Sequence, residues 1–206
     1  MKGLILKDLI NLRRYGRSIF LFIAVFALFG LMSKNWDFLE GIIILMFTMM
    51  TVTTFSYDDI AKWDIYALSL PVSRRQIVRS KYLLAILLSL AGILLSLAVN
   101  SILALVKDIN IVDKLLTAYI IFAVATVFTC ILLPLIYKFG VEKSRIFLIA
   151  IFAAPTAAVL VLSNMGIPMP QKDFWMLLLN LSPAILVILL CASYAISNAL
   201  FSGKDL

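Results

Sequence analysis

The segment YDDIAKWDIYALSLPVSRRQIVRSKYLL, residues 57–84, lies between two runs of almost entirely apolar residues. Its first 25 positions carry eight charged side chains, namely Asp58, Asp59, Lys62, Asp64, Arg74, Arg75, Arg79 and Lys81. One charge at the centre of a bilayer costs about 2.5–3.5 kcal/mol. We therefore expect this segment to lie outside the hydrocarbon, while the runs on either side of it cross the membrane.

The composition agrees with a membrane protein. Of the 206 residues, 64% are hydrophobic and 14% are charged, against about 45–50% and about 25% in soluble domains. Six apolar runs have lengths that suit membrane helices. These predicted spans are residues 18–33, 38–56, 82–106, 115–137, 146–164 and 174–200. With no second domain visible, residues 1–206 are predicted to form one all-α, polytopic membrane domain.

The basic residues predict the orientation. An N-terminus on the inner side of the membrane places 14 of the 18 Lys and Arg residues inside and four outside. The four outer residues are Lys34, Lys107, Lys114 and Lys172. This asymmetry follows the positive-inside rule, so both termini are predicted to be cytoplasmic, and the net charge of +7 needs no nucleic acid to explain it.

The first residues, MKGLILKDLINLRRYGRS, have apolar positions at helical spacing among charged ones. Residues 2–15 are predicted to form an amphipathic elbow helix in the membrane interface, with Gly16 as a flexible corner before the first span. The alternative is an ordinary basic flank to a membrane helix.

The charged segment itself is predicted to hold two helices. Asp58 can cap a short helix near residues 59–69, Pro71 breaks it, and Ser73 can cap the helix that leads into the third span. Trp63 and Tyr66 on the short helix are typical of protein–protein hot spots. The same residue types also anchor loops to lipid headgroups, and the pattern alone leaves both readings open.

Residues 62–84, KWDIYALSLPVSRRQIVRSKYLL, resemble the loop between the second and third spans of small ABC-2 type transporter permeases. The opening MKGLILKDL and the six-span layout extend this resemblance over essentially the whole chain. Within the family, the chain is similar to permeases of bacterial peptide exporters, including those that export phenol-soluble modulins. The resemblance implies a subunit of the bacterial cell membrane that pairs with an identical or related permease and exports amphipathic or hydrophobic peptides.

The resemblance also implies a coupling segment at residues 58–81 that docks a cytosolic ATPase. ATP and Mg²⁺ would be bound by that partner, and this chain would be neither an enzyme nor a cofactor-binding protein. The docking residues carried over are Asp59, Lys62, Trp63, Tyr66, Leu70, Arg74 and Arg75. The chain contains no G-x-x-x-x-G-K-[ST] motif of its own.

Polar residues inside the spans give a candidate substrate path, consisting of Glu40, Thr48, Thr51 and Asn100. Helix packing explains the hydroxyl groups equally well, and a solvated carboxylate near the membrane surface explains Glu40. An ion-coupled secondary transporter is a rival function, although such proteins usually bury ionisable residues in their spans. Export of lipids or drugs is a second rival. The absence of histidine excludes H-E-x-x-H zinc sites and histidine bases.

Overall fold

Helices make up the whole described part of the chain outside short connections, and no strand occurs in it. The computed structural model describes residues 2–32, 37–104, 111–165 and 172–203. In chain order the helices are α1 (Lys2–Met32), α2 (Asp37–Ile60), α3 (Trp63–Ser69), α4 (Arg74–Ala104), α5 (Ile111–Phe139), α6 (Val141–Asn164) and α7 (Lys172–Ser202). The prediction of an all-α fold is confirmed for these residues.

Four of these helices are long and apolar enough to cross a bilayer. Within the described residues they are the segments Gly41–Ile60, Arg74–Val99, Leu115–Phe139 and Met176–Ser202. They belong to α2, α4, α5 and α7 and match four predicted spans, so a multi-pass helical membrane protein is the architecture that they indicate. The predicted spans 18–33 and 146–164 fall in α1 and α6, and the count of six stays a prediction.

The N-terminal segment differs from the expectation. Residues 2–15 do not form a separate helix, because α1 runs from Lys2 to Met32 without a break at Gly16. A glycine inside a helix costs only about 1 kcal/mol relative to alanine, and the helical turns on both sides of Gly16 outweigh that preference. The predicted elbow and the predicted first span are one continuous helix.

The break after α2 also lies elsewhere than predicted. Helix α2 continues to Ile60, and Lys62 adopts a left-handed conformation with φ 48° and ψ 40° before α3 begins at Trp63. Asp58 is therefore inside the last turn of α2 and is not a helix cap. The Ser73 cap is confirmed, since the Gln76 amide donates to Ser73 Oγ (3.3 Å) and the Ser73 amide donates to Gln76 Oε1 (3.2 Å).

The bundle is organised around two helix pairs. Helix α2 packs along α4, and α5 packs along α7, while α4 also touches α5 and α7. Helix α1 lies against α2 and α4, and α6 lies against α5. The starts of α1, α4 and α6 and the ends of α2, α5 and α7 meet at one end of the bundle, which we call the charged end.

Helices α2 and α4 approach each other closely at Gly92 of α4. A Cβ atom at this position would lie 3.0 Å from Phe47 Cβ and 3.3 Å from Ile44 Cα on α2. Small residues allow such close backbone approach between membrane helices. Gly92 therefore sets the distance between α2 and α4.

We predict that Gly92→Val lowers the free energy of unfolding by about 1–3 kcal/mol, because the new side chain overpacks the contact with α2. The thermal midpoint of the detergent-purified protein measures this. The matched control is Gly41→Val, since a Cβ atom at Gly41 meets no other atom within 4 Å. Equal midpoints for the two variants would contradict the close approach.

Candidate functional site

Four ionisable side chains meet at the charged end and form what we call the charge cluster: Lys7 and Asp8 of α1, Asp58 of α2 and Lys81 of α4. Lys81 Nζ lies 2.9 Å from Asp8 Oδ2 and 2.6 Å from Asp58 Oδ2. Lys7 Nζ lies 3.1 Å from Asp8 Oδ1 and contacts Asp58 Oδ1. Each carboxylate therefore touches both ammonium groups, and the four formal charges cancel.

The charge cluster is buried. The side chains of Asp8 and Lys81 are 2% and 4% exposed, and that of Asp58 is 9% exposed. The Lys7 side chain is 23% exposed. Burial removes most of the hydration of the other three charges, and the mutual attraction of the four groups offsets this only while every partner is present. Lys81 Nζ also donates to Thr54 Oγ1 at 3.3 Å. The cluster consequently holds α1, α2 and α4 in one fixed register.

The charge cluster reaches α3 through an aromatic contact. Lys7 Nζ lies 4.1 Å from the centre of the Trp63 ring, which is a cation–π distance. Trp63 is half-buried and packs against the main apolar core, and Ala67, one turn later, is buried. Trp63 and Ala67 thus fix the inner side of α3 to the bundle.

The outer side of this region is exposed and partly apolar. The side chains of Ile60, Ile65 and Tyr66 are 83%, 58% and 57% exposed. The charged residues Asp59 and Lys62 are exposed beside them. We call these five residues the loop face. Large apolar side chains next to fixed charges are typical of a surface that binds another protein.

The seven predicted docking residues divide into two groups. Asp59, Lys62, Tyr66 and Arg75 are exposed, whereas Trp63, Leu70 and Arg74 are partly buried. Arg74 Nη1 donates to the carbonyls of Phe201 (3.0 Å) and Ser202 (2.9 Å), so this side chain caps the C-terminal end of α7. Trp63 and Arg74 therefore have structural partners inside the protein.

Sequence reasoning missed the charge cluster and two apolar members of the loop face. The pattern predicts an interfacial surface for Lys7 and Asp8 and a cap role for Asp58. It also predicts that Ile60 shares a helix face with Trp63 and Ala67, whereas Ile60 ends α2 and is exposed. Ile65 is not singled out by the pattern. The available signal was charge balance: two acids and two bases lie in segments that the prediction already placed at the same end of the bundle.

Two of the four predicted path residues are described in full. Thr48 and Thr51 are both buried on α2. Thr48 donates to the Ile44 carbonyl (2.9 Å), and Thr51 Oγ1 has no hydrogen-bond partner among the described atoms. The side chains of Glu40 and Asn100 lie outside the described residues.

A groove of about 330 Å³ runs between α2 and α5. Its lining is almost wholly apolar and includes Thr48 and Met46 from α2 and Val124 and Phe128 from α5. Thr48 therefore borders an open apolar groove, while its hydroxyl proton is donated to its own helix.

We predict that Asp58→Asn lowers the free energy of unfolding by about 3–5 kcal/mol, because it leaves a net positive charge buried in the cluster. Thermal unfolding in detergent measures this, and the double variant Asp58→Asn, Lys81→Met should recover much of the loss.

The matched control is the neighbouring carboxylate, Asp59→Asn, which is exposed and should change stability by less than about 0.5 kcal/mol. If Asp58→Asn is as harmless as Asp59→Asn, the charge cluster does not stabilise the fold.

Comparison with protein families agrees with the multi-pass helical architecture, whereas two other comparisons found no match. No curated protein and no solved structure matches the chain. The model of the ABC-2 family transporter proteins matches residues 3–202, which is nearly the whole chain. A multi-pass helical chain matched over this length belongs to the ABC-2 transporter family.

Proposed function

We propose that this chain is the permease subunit of an ATP-driven exporter and that a separate ATPase docks on its loop face. The observation that carries the proposal is the exposure of Ile60, Ile65 and Tyr66 beside two charges at the charged end. Members of the family are membrane-transport components, and the chain has no nucleotide-binding motif of its own. ATP and Mg²⁺ are therefore expected on the partner.

The position of Trp63 supports docking over simple anchoring to headgroups. An anchoring loop would turn its indole ring toward the lipid interface. Here the ring faces the bundle, under Lys7 Nζ and against the apolar core. The exposed side of the loop carries Ile65 and Tyr66 instead, flanked by an acid and a base that can pair with charges on a partner.

Mechanical coupling follows from the same contacts. A partner that pushes on the loop face moves α3, whose inner side is tied to the bundle through Trp63 and Ala67. Lys7 and the charge cluster then pass the displacement to α1, α2 and α4, because these helices share one set of ion pairs. In this mechanism ATP-driven closure of the partner changes access to a path between two permeases.

The path and the cargo are argued from the apolar groove. The second permease is an identical or related chain. The buried Thr48 of α2 lines the α2/α5 groove, and α2 also carries the buried Thr51. Glu40 and Asn100 complete the proposed path. An almost wholly apolar lining with an adaptable methionine suits an amphipathic or hydrophobic peptide. A lipid or drug cargo is the alternative that the same lining allows.

The membrane orientation is proposed on charge alone. The 14 basic residues placed inside put both termini, the charge cluster and the loop face on the cytoplasmic side of a bacterial cell membrane. A cytosolic ATPase can reach the loop face only in this orientation.

Ion-coupled transport is less well supported. Asp8 and Asp58 are buried, as carboxylates of a proton relay would be. Each of them, however, is paired with both Lys7 and Lys81, and they lie at the charged end of the bundle and not between its two ends. A cluster in which each carboxylate has two lysine partners holds helices together and leaves neither carboxylate without a cation.

Docking predicts that Tyr66→Ala combined with Ile65→Ala lowers the amount of ATPase that co-purifies with the chain at least about tenfold, since each large exposed side chain of a hot spot contributes about 1–2 kcal/mol. The measurement is affinity purification from native membranes with quantitative mass spectrometry.

The matched control is Ile188→Ala, which removes an equally exposed apolar side chain (66%) from the middle of α7. Undiminished ATPase in the loop-face variant, with normal membrane insertion, would contradict docking at this surface.

The proposed path predicts that Val124→Trp blocks the α2/α5 groove, because Val124 is 59% exposed and lines it. Export of an amphipathic helical reporter peptide should fall severalfold while ATPase co-purification is unchanged. The control is Leu94→Trp, 70% exposed on α4 and outside the groove. Equal export by both variants would remove the groove from the path.

A further inference from the structure

A second groove lies on another face of the bundle, between α4, α5 and α7. Its deeper part has a volume of about 250 Å³ and is lined by residues that include Ile86, Val187 and Leu190. A shallower part of about 290 Å³ is lined by Arg79, Tyr82, Leu83, Ile86 and Tyr194. The two parts share Tyr82 and Ile86, so they adjoin, and we call them together the α4/α7 groove.

Several hydroxyl groups along the α4/α7 groove are engaged inside the protein. Tyr82 Oη pairs with Ser193 Oγ (2.6 Å) and Ser197 Oγ (2.8 Å). Thr126 and Thr129 donate to carbonyls of their own helix, each at 2.8 Å. With these groups satisfied, the groove offers an occupant mainly carbon surface, which suits a hydrocarbon chain.

The mouth of the groove is basic. Arg79 is exposed there, and Arg75, one helical turn earlier on the same side of α4, is exposed as well. None of the ion pairs between described residues involves either arginine. Two guanidinium groups at the end of a membrane helix, without an acidic partner in the described part of the chain, are a site for an anionic headgroup.

The dimensions agree with one lipid leaflet. The groove follows α4 from Arg79 to Ser89, which is about 15 Å at 1.5 Å per residue. Half of a hydrocarbon core of about 30 Å is the same length. Leu83 in the groove and Leu87 and Leu90 beside it are exposed on α4, as expected of a surface that faces acyl chains.

We propose that the α4/α7 groove binds an anionic phospholipid, with its phosphate on Arg79 and Arg75 and one acyl chain along Ile86 and Leu190. The charges at the mouth select the headgroup, and the carbon lining holds the chain. This site is separate from the loop face and the α2/α5 groove, and it does not depend on the proposed transport function.

The test is native mass spectrometry of the full chain, purified in mild detergent with equal amounts of phosphatidylglycerol and phosphatidylcholine. The unmodified chain should retain phosphatidylglycerol in preference to phosphatidylcholine. Arg79→Gln should lower the retained phosphatidylglycerol about fivefold, and adding Arg75→Gln should lower it about 25-fold. Lys143→Gln, an exposed cation at the charged end on α6, is the matched control and should change nothing.

A second variant tests the acyl part of the site. Val187 is 60% exposed and lines the groove, so Val187→Trp should displace the lipid without altering the thermal midpoint. If Lys143→Gln loses as much phosphatidylglycerol as Arg79→Gln, the lipid is attracted to the basic surface in general, and the proposal is overturned. If Val187→Trp retains as much phosphatidylglycerol as the unmodified chain, the lipid binds through its headgroup alone, and the proposed acyl site in the groove is wrong.

A different occupant is also detectable. If Val187→Cys forms disulfides between two copies in a Cys191→Ser background, which removes the exposed native thiol, the face is an interface between permeases and the lipid site is wrong. We expect no such cross-link. We also expect Arg79→Gln and Val187→Trp, but not Lys143→Gln, to lose retained phosphatidylglycerol.

Discussion

The buried charge cluster is the constraint on which the charged end of this protein depends. Both carboxylates and the Lys81 ammonium group are almost completely removed from solvent, Lys7 is partly exposed, and each carboxylate contacts both cations. Such an arrangement tolerates no missing member, because a single unpaired charge in this environment costs several times more than an exposed one. Helices α1, α2 and α4 must therefore meet in one register before the end of the bundle can close.

The same constraint separates the two sides of the loop between α2 and α4. Trp63 and Ala67 turn inward, where Lys7 and the apolar core hold them. Ile65 and Tyr66 remain largely exposed on the outer side, where the Tyr66 ring contacts the ring of Trp63 at 5.3 Å between centres. Arg74 closes the loop against the end of α7 through two carbonyl contacts. Helix α3 is thus fixed to the bundle on its inner side and exposed on its outer side. Such a helix is suited to transmit force from a bound partner to the bundle.

Much of the architecture was predictable from the sequence because it depends on local patterns. Apolar run length gave four spans that the structure supports, and Ser73 followed by Gln76 forms the predicted helix start. The features that were mispredicted depend on partners far away in the chain. Asp58 pairs with Lys7, 51 residues away, and Lys81 pairs with Asp8, 73 residues away. No local pattern distinguishes such buried charges from capping or solvated ones.

The docking residues show the same limit. The position of the loop and the exposure of Tyr66 follow from composition and from the family resemblance, but the direction in which Trp63 points is decided by Lys7 on another helix. Gly16 is a related case, because glycine permits a corner without requiring one. Sequence reasoning located the segment, and the tertiary contacts decided which of its side chains are available to a partner.

We propose that α3 and the start of α1 move as one body, because the charge cluster and the contact of Lys7 with Trp63 join them. The most direct measurement is electron-paramagnetic-resonance distance spectroscopy on spin labels at Ile10→Cys and Ser69→Cys in a Cys191→Ser background; both positions are exposed, and Ser69 is on α3 outside the loop face. The ATPase complex is measured without nucleotide and with a non-hydrolysable ATP analogue, and a pair at Ser69→Cys and Lys143→Cys serves as the reference. We expect an unchanged, narrow distance between α1 and α3 while the reference distance shifts. A change between α1 and α3 as large as the reference shift would contradict it.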